Sequence, residues 1–169
     1  MIERIGFDEL DPKLREVLRA RVERLGYLGE FFQVAAHQPD ALISLNALTE
    51  QLRGALPDDA AEIVALTVAS VTGNDYERHQ HERLSLKLGF SEVWIRRVIA
   101  LEEGGIVQRT VLDLLADRGR GADVDALAAE HGDAFAVAVL LLTGRYLMHS
   151  TVVNALGLAP PVPSPLADT

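Results

Sequence analysis

One stretch of the chain combines a dense set of ionisable side chains with an unusually apolar neighbour, and proton transfer is the chemistry it fits. The dense set is Asn74-Asp75-Tyr76-Glu77-Arg78-His79-Gln80-His81-Glu82, and between Ala60 and Thr72, just upstream, Glu62 is the single ionisable residue among Ile63, Val64, Leu66 and Val68. If this stretch is helical, Glu77 and His81 are i,i+4 neighbours, so the carboxylate can accept a hydrogen bond from the imidazole and fix its tautomer. That is half of an acid/base site. A lone carboxylate at Glu62 is costly to bury and is expected to find a donor or stay protonated, and His81, one helix later, is a candidate partner across two central helices. His79 lies roughly 200° round the helix from His81 and is read as a surface residue.

These residues need helices to hold them, and the chain supplies helical spacing from end to end. No strand-period alternation of useful length occurs, so the fold class is all-α. Asp11-Pro12 reads as the cap and first turn of a helix to Leu25, ended by Gly26. A short helix from Glu30 to His37 and a longer one from Pro39 to Arg53 meet at a corner made by Pro39. Asp58 and Asp59 open a buried core helix from Ala60 to Thr72, closed by Gly73-Asn74. The next helices run from Asp75 to Leu88 and from a Ser91 cap to Glu102, then from Val107 to Asp117, Asp123 to Glu130 and Asp133 to Leu156. The expected organisation is one helical domain, 1–159, with its core at 28–102, followed by a Pro-rich tail, 160–169, that is either an extended arm or disordered.

Composition narrows the function classes. Net charge is −9, from 25 Asp+Glu against 16 Lys+Arg, which repels phosphate backbones and anionic headgroups and argues against nucleic-acid or membrane binding. Arg96-Arg97 is a local basic exception, read as a solvated face. The absence of cysteine removes disulfides, thiolate nucleophiles and CxxC redox pairs together. The N-terminus leads into no apolar signal region, and the runs Ile63 to Thr72 and Ala134 to Gly144 are too short to span a bilayer, so a cytoplasmic location is expected. Ala134 to Leu142 is apolar all round and must be surrounded, by its own chain or by a partner subunit. Arg145 and His149 are read as interface residues, with Tyr146 or His149 as candidates to line a subunit-shared pocket.

The order of motifs also resembles a known family. A Glu inside an apolar helix (Glu62), a turn, Tyr76-Glu77-Arg78-His79-Gln80-His81 and then Gly89-Phe90-Ser91 are similar to the core of the carboxymuconolactone decarboxylase/alkylhydroperoxidase D superfamily, and Phe31 to Pro39 is similar to its His-x-Pro lead-in. The resemblance covers Leu28 to Glu102. It implies a helical bundle of the alkylhydroperoxidase D-like type, assembled as a homo-oligomer, a trimer or a hexamer. In the peroxidase branch a CxxC pair precedes the histidine by seven and four residues, positions held here by Asn74 and Glu77, so disulfide cycling is excluded.

In the decarboxylase-like branch the resemblance implies His81 as the acid/base group of cofactor-independent chemistry on a small carboxylated or lactone substrate, with Glu62 and Glu77 as its orienting carboxylates. Tyr76, Asn74 and Arg78 are the candidate substrate-binding residues. Many relatives carry Trp at the position of Arg78, so the pocket differs. Three alternatives stand beside this reading. Tyr76 packs the core, Asn74 caps a helix and the Glu-His set is a structural network in a binding protein; Glu62, Glu77 and His81 together hold a divalent metal; or the protein handles peroxide with a thiol borrowed from another protein.

Overall fold

A computed structural model of the chain describes residues 2–167; Met1 and the last two residues of the tail, Asp168 and Thr169, lie outside the described residues. Among the described residues every regular element is helical: a 3-10 turn at Phe7–Glu9 and nine α-helices. These are α1 (Pro12–Leu25), α2 (Glu30–Ala35), α3 (Pro39–Gly54), α4 (Asp58–Thr72), α5 (Asp75–Leu88), α6 (Glu92–Ile99), α7 (Ile106–Ala116), α8 (Val124–His131) and α9 (Asp133–Leu156). The chain divides into two compact units, Met1–Glu50 and Gln51–Thr169, with α3 running across the division.

In the first unit the Asp11 carboxylate accepts the Lys13 and Leu14 amides, Pro12 supplies the first turn, and Gly26 ends α1 in the left-handed conformation. The Ile5 amide donates to the Gln33 carbonyl, the His37 ring meets the Glu3 carbonyl at 3.1 Å, and Arg21 stacks over Phe32. His37 thus fastens the corner before Pro39.

The second unit is built round α4. Every residue from Ala60 to Ala69 is buried, and α5, α6, α7 and α9 all pack against it. Each large aliphatic side chain removed from water here stabilises by roughly 1.5–3 kcal/mol, so α4 is the main source of cohesion. Gln108, fully buried, donates to Thr67 Oγ1 and the Val98 carbonyl and accepts the Gly104 amide, tying α4, α6 and α7 through one side chain.

The helix α9 differs from the expected short apolar run. With 24 residues and mean hydropathy 1.4 over its most apolar stretch, it is long and apolar enough to cross a membrane by those measures, but 56% of that stretch is buried inside the protein, as in a core helix. The described part of the tail is attached: the Val162 carbonyl meets the His79 ring at 3.1 Å, Ser164 donates to Glu82, Arg96 donates to the Leu166 carbonyl, and the Leu166 side chain is buried.

Candidate functional site

The turn between α4 and α5 sets the site. Gly73 adopts φ 63°, Asn74 Oδ1 accepts the Glu77 amide as the cap of α5, and the chain reverses, so that Glu62 on α4 stands level with the His81–Ser85 turn of α5. The expected meeting of Glu62 and His81 is what the structure shows. His81 Nδ1 lies 2.9 Å from Glu62 Oε2, which also accepts the Ser85 hydroxyl at 3.0 Å, while Glu62 Oε1 accepts Arg53 Nη2 at 2.9 Å. Glu62 has no exposed surface and His81 has 6%.

The other ring nitrogen faces α9. Tyr146 OH stands 3.1 Å from His81 Nε2 and accepts Arg53 Nη1 at 3.3 Å, so Arg53, Glu62, His81 and Tyr146 close a ring. Glu77 Oε2 is 3.9 Å from the same Nε2. Its Oε1 pairs with Arg145 Nη1 at 3.0 Å and His149 Nε2 at 3.3 Å, while His149 Nδ1 meets Asn74 Nδ2 at 3.4 Å. The two sets are neighbours joined at His81.

The charge states follow from these contacts. Burial pushes the Glu62 carboxyl up, but His81 and Arg53, by charge and by hydrogen bond, outweigh it and hold the group below its ordinary 4.5. Burial also opposes ionisation of Glu77, and His149, Arg145 and His81 together hold it well below the carboxylate range. Burial raises the Tyr146 hydroxyl above its ordinary 10.0, with Glu77 and Glu62 pushing the same way against Arg145 and Arg53. For Arg53, burial works against the cation, but Tyr146 and Glu62 outweigh it. Two ionised carboxylates therefore face two guanidiniums.

The remaining expected residues divide. Asn74 is buried in the site as a cap and as a donor to Ser150 Oγ at 3.0 Å, and Tyr76 is buried against the His149 ring with the centroids 5.6 Å apart. Arg78 stands apart from the Glu62–His81 pair. One position round from Glu77, about 100° on a helix, it pairs with Asp75 at 2.7 Å and Glu82 at 2.9 Å and lines a separate cavity of about 650 Å³ with His79, Arg96 and Pro163. His79, read as surface, is half-buried beneath the tail. The metal reading also changes. Glu62 and Glu77 approach opposite nitrogens of one imidazole, so the three do not converge on a point, and among the described residues no group of three His, Cys, Asp or Glu is spaced to hold a metal.

Four residues of the site were not assigned to it from the sequence. Arg145 and His149, expected at an interface, are buried within the unit on Glu77, and Tyr146 closes on His81. A signal existed: Arg145, Tyr146 and His149 share one face of an otherwise apolar helix. Arg53, at the end of α3, carried none.

No protein-family model matches the chain, and no curated protein matches it either. Among solved structures the chain is similar to one from Agrobacterium tumefaciens, a protein of unknown function suggested to be the antioxidant defence protein AhpD. The TM-score is 0.65 with 21% identity, covering 76% of this chain and 96% of that one. The likeness concerns the fold, which is all-helical and AhpD-like.

Proposed function

We propose that this protein is a cofactor-independent acid/base enzyme of the carboxymuconolactone decarboxylase-like kind, moving a proton on a small enolisable lactone or carbonyl substrate through His81. The observation that carries this reading is the Glu62–His81 pair, 2.9 Å apart and buried, in which an ionised carboxylate orients an imidazole. Arg53 and Arg145 are already paired with Glu62 and Glu77. A neutral lactone therefore suits it better than a polyanion, which narrows the substrate class implied by the family resemblance. Peroxide chemistry of the thiol kind would need a thiol from elsewhere, because the chain has no cysteine.

The same reading includes a cytoplasmic location and a homo-oligomer, trimer or hexamer, with a small molecule as the only other partner. The test is deuterium exchange and ring opening or decarboxylation on a panel of γ-lactones and β-keto acids in D2O. Turnover is expected to fall about 100-fold or more in His81→Ala, the usual share of a general base. A parallel assay of alkyl hydroperoxide with a dithiol is expected to stay at the buffer background. Activity on the panel that is indifferent to His81, or a donor-dependent peroxidase rate abolished by His81→Ala, would overturn the proposal.

A further inference from the structure

Both nitrogens of the His81 imidazole are occupied. Glu62, ionised, can only accept, so in the neutral ring Nδ1 carries the proton and Nε2 presents its lone pair. Tyr146 OH is the group at Nε2, 3.1 Å away, and Arg53, which can only donate, already points an N–H at the phenol oxygen from 3.3 Å. The phenol's own proton is thus directed at Nε2. Glu77 Oε2 is too far from Nε2, at 3.9 Å, to compete for it. His81 has no free lone pair to offer a bound molecule.

We infer that Tyr146 is the proton-carrying residue of this site, the outer member of a Glu62–His81–Tyr146 relay in which every proton reaching or leaving His81 Nε2 crosses the Tyr146 oxygen. The inference rests on the acid/base reading above and deepens it. In the working direction Nε2 takes the phenol proton while the phenol oxygen takes one from a bound C–H acid. The phenol is restored, His81 becomes an imidazolium opposite Glu62, and the bound molecule keeps the electron pair of the broken C–H bond as an enolate. Reversal returns the proton to carbon, and no electron is gained or lost. Charged groups surround the phenol on every packed element: Arg53 from α3, Glu62 from α4, Glu77 and His81 from α5, and Arg145, 4.5 Å over the ring, from α9. The two guanidiniums are placed to steady negative charge on the phenol oxygen during transfer, and the buried site excludes water from it.

Two measurements on the whole chain test the relay. Side-chain 15N NMR of the wild type with the ring in its neutral form is expected to show the His81 proton on Nδ1 with Nε2 as an acceptor, and Tyr146→Phe is expected to move the Nε2 resonance alone. A wild-type ring protonated on Nε2 and bare at Nδ1 overturns the inference by itself, whether or not any substrate turns over. With α-angelica lactone as the probe, Tyr146→Phe is expected to lose about 100-fold or more in kcat with little change in KM. A Tyr146→Phe variant that keeps the wild-type rate while His81→Ala loses it refutes the relay and leaves the acid/base reading standing. A rate indifferent to both substitutions refutes the reading itself.

Discussion

At the scale of single residues, the site is a set of buried charges that stabilise only as long as each keeps its partner. The carboxyls of Glu62 and Glu77 titrate below their ordinary 4.5 in the folded protein, so unfolding takes up protons at low pH. The stability they contribute is present in full above about 4.5 and is lost progressively as pH falls toward their folded values. Urea unfolding followed from about pH 7 down to about pH 3 is expected to show this acid limb, and Glu62→Gln and Glu77→Gln are each expected to flatten it. An unchanged limb in both variants would count against the pairing. Glu77→Ala is further expected to destabilise by about 3–5 kcal/mol at neutral pH, because it leaves Arg145 and His149 buried without their carboxylate. How much of this was legible in the sequence differs by residue. Glu77 and His81 are one helical turn apart, and Glu62 is conspicuous in an apolar stretch, so local spacing brought those three together. Arg53 joins them from the end of the preceding helix and Tyr146 from a helix remote in sequence, and both pairings depend on how the helices pack, which spacing along one helix does not reveal.

Among the elements, the punctuation of the chain proved the most readable part. Asp11, Asn74 and Ser91 cap the helices they were expected to cap, and Gly26, Gly73, Gly89 and Gly157 close helices in the left-handed conformation. The exceptions have local causes. The helix α6 stops at Ile99 because Leu101, with φ 63°, takes a left-handed closing position that glycine usually fills, and the Glu102 amide bonds back to the Arg97 carbonyl. Similarly, α2 ends at Ala35 and leaves His37 free to reach the Glu3 carbonyl. Gly73 is the hinge on which the site depends. A Cβ built there would meet nothing within 4 Å, so Gly73→Ala carries only the conformational penalty of φ 63°, about 1–2 kcal/mol. Thermal unfolding is expected to register that loss with the Glu62–His81 contact retained. A much larger loss would mean that the turn is packed in a way the structure does not show.

For the molecule as a whole, the outward side of α9 is the most informative surface. Val137, Leu141, Leu147 and Met148 are each between 41% and 51% exposed along one helix, which is the placement expected if a second copy covers them in the proposed oligomer. Sedimentation is expected to show an assembly at micromolar concentration that Leu141→Glu dissociates without unfolding it. A monomeric wild type would sink the oligomer. The inward side of the same helix carries a different consequence. Tyr146, Arg145 and His149 are supplied from α9 to Glu62, His81 and Glu77, with at least three helices between them along the chain. A nascent chain that has reached only α7 holds the carboxylates and the imidazole without those three partners, so the contacts to Arg145, Tyr146 and His149 wait for α9. Interactions made after the rate-limiting step of folding do not hurry the chain toward its folded form; they slow its departure from it. Loosening this network, as in Glu77→Ala, is therefore expected to shorten the time the protein survives folded with little change in the speed of its assembly, and stopped-flow unfolding and refolding rates check it.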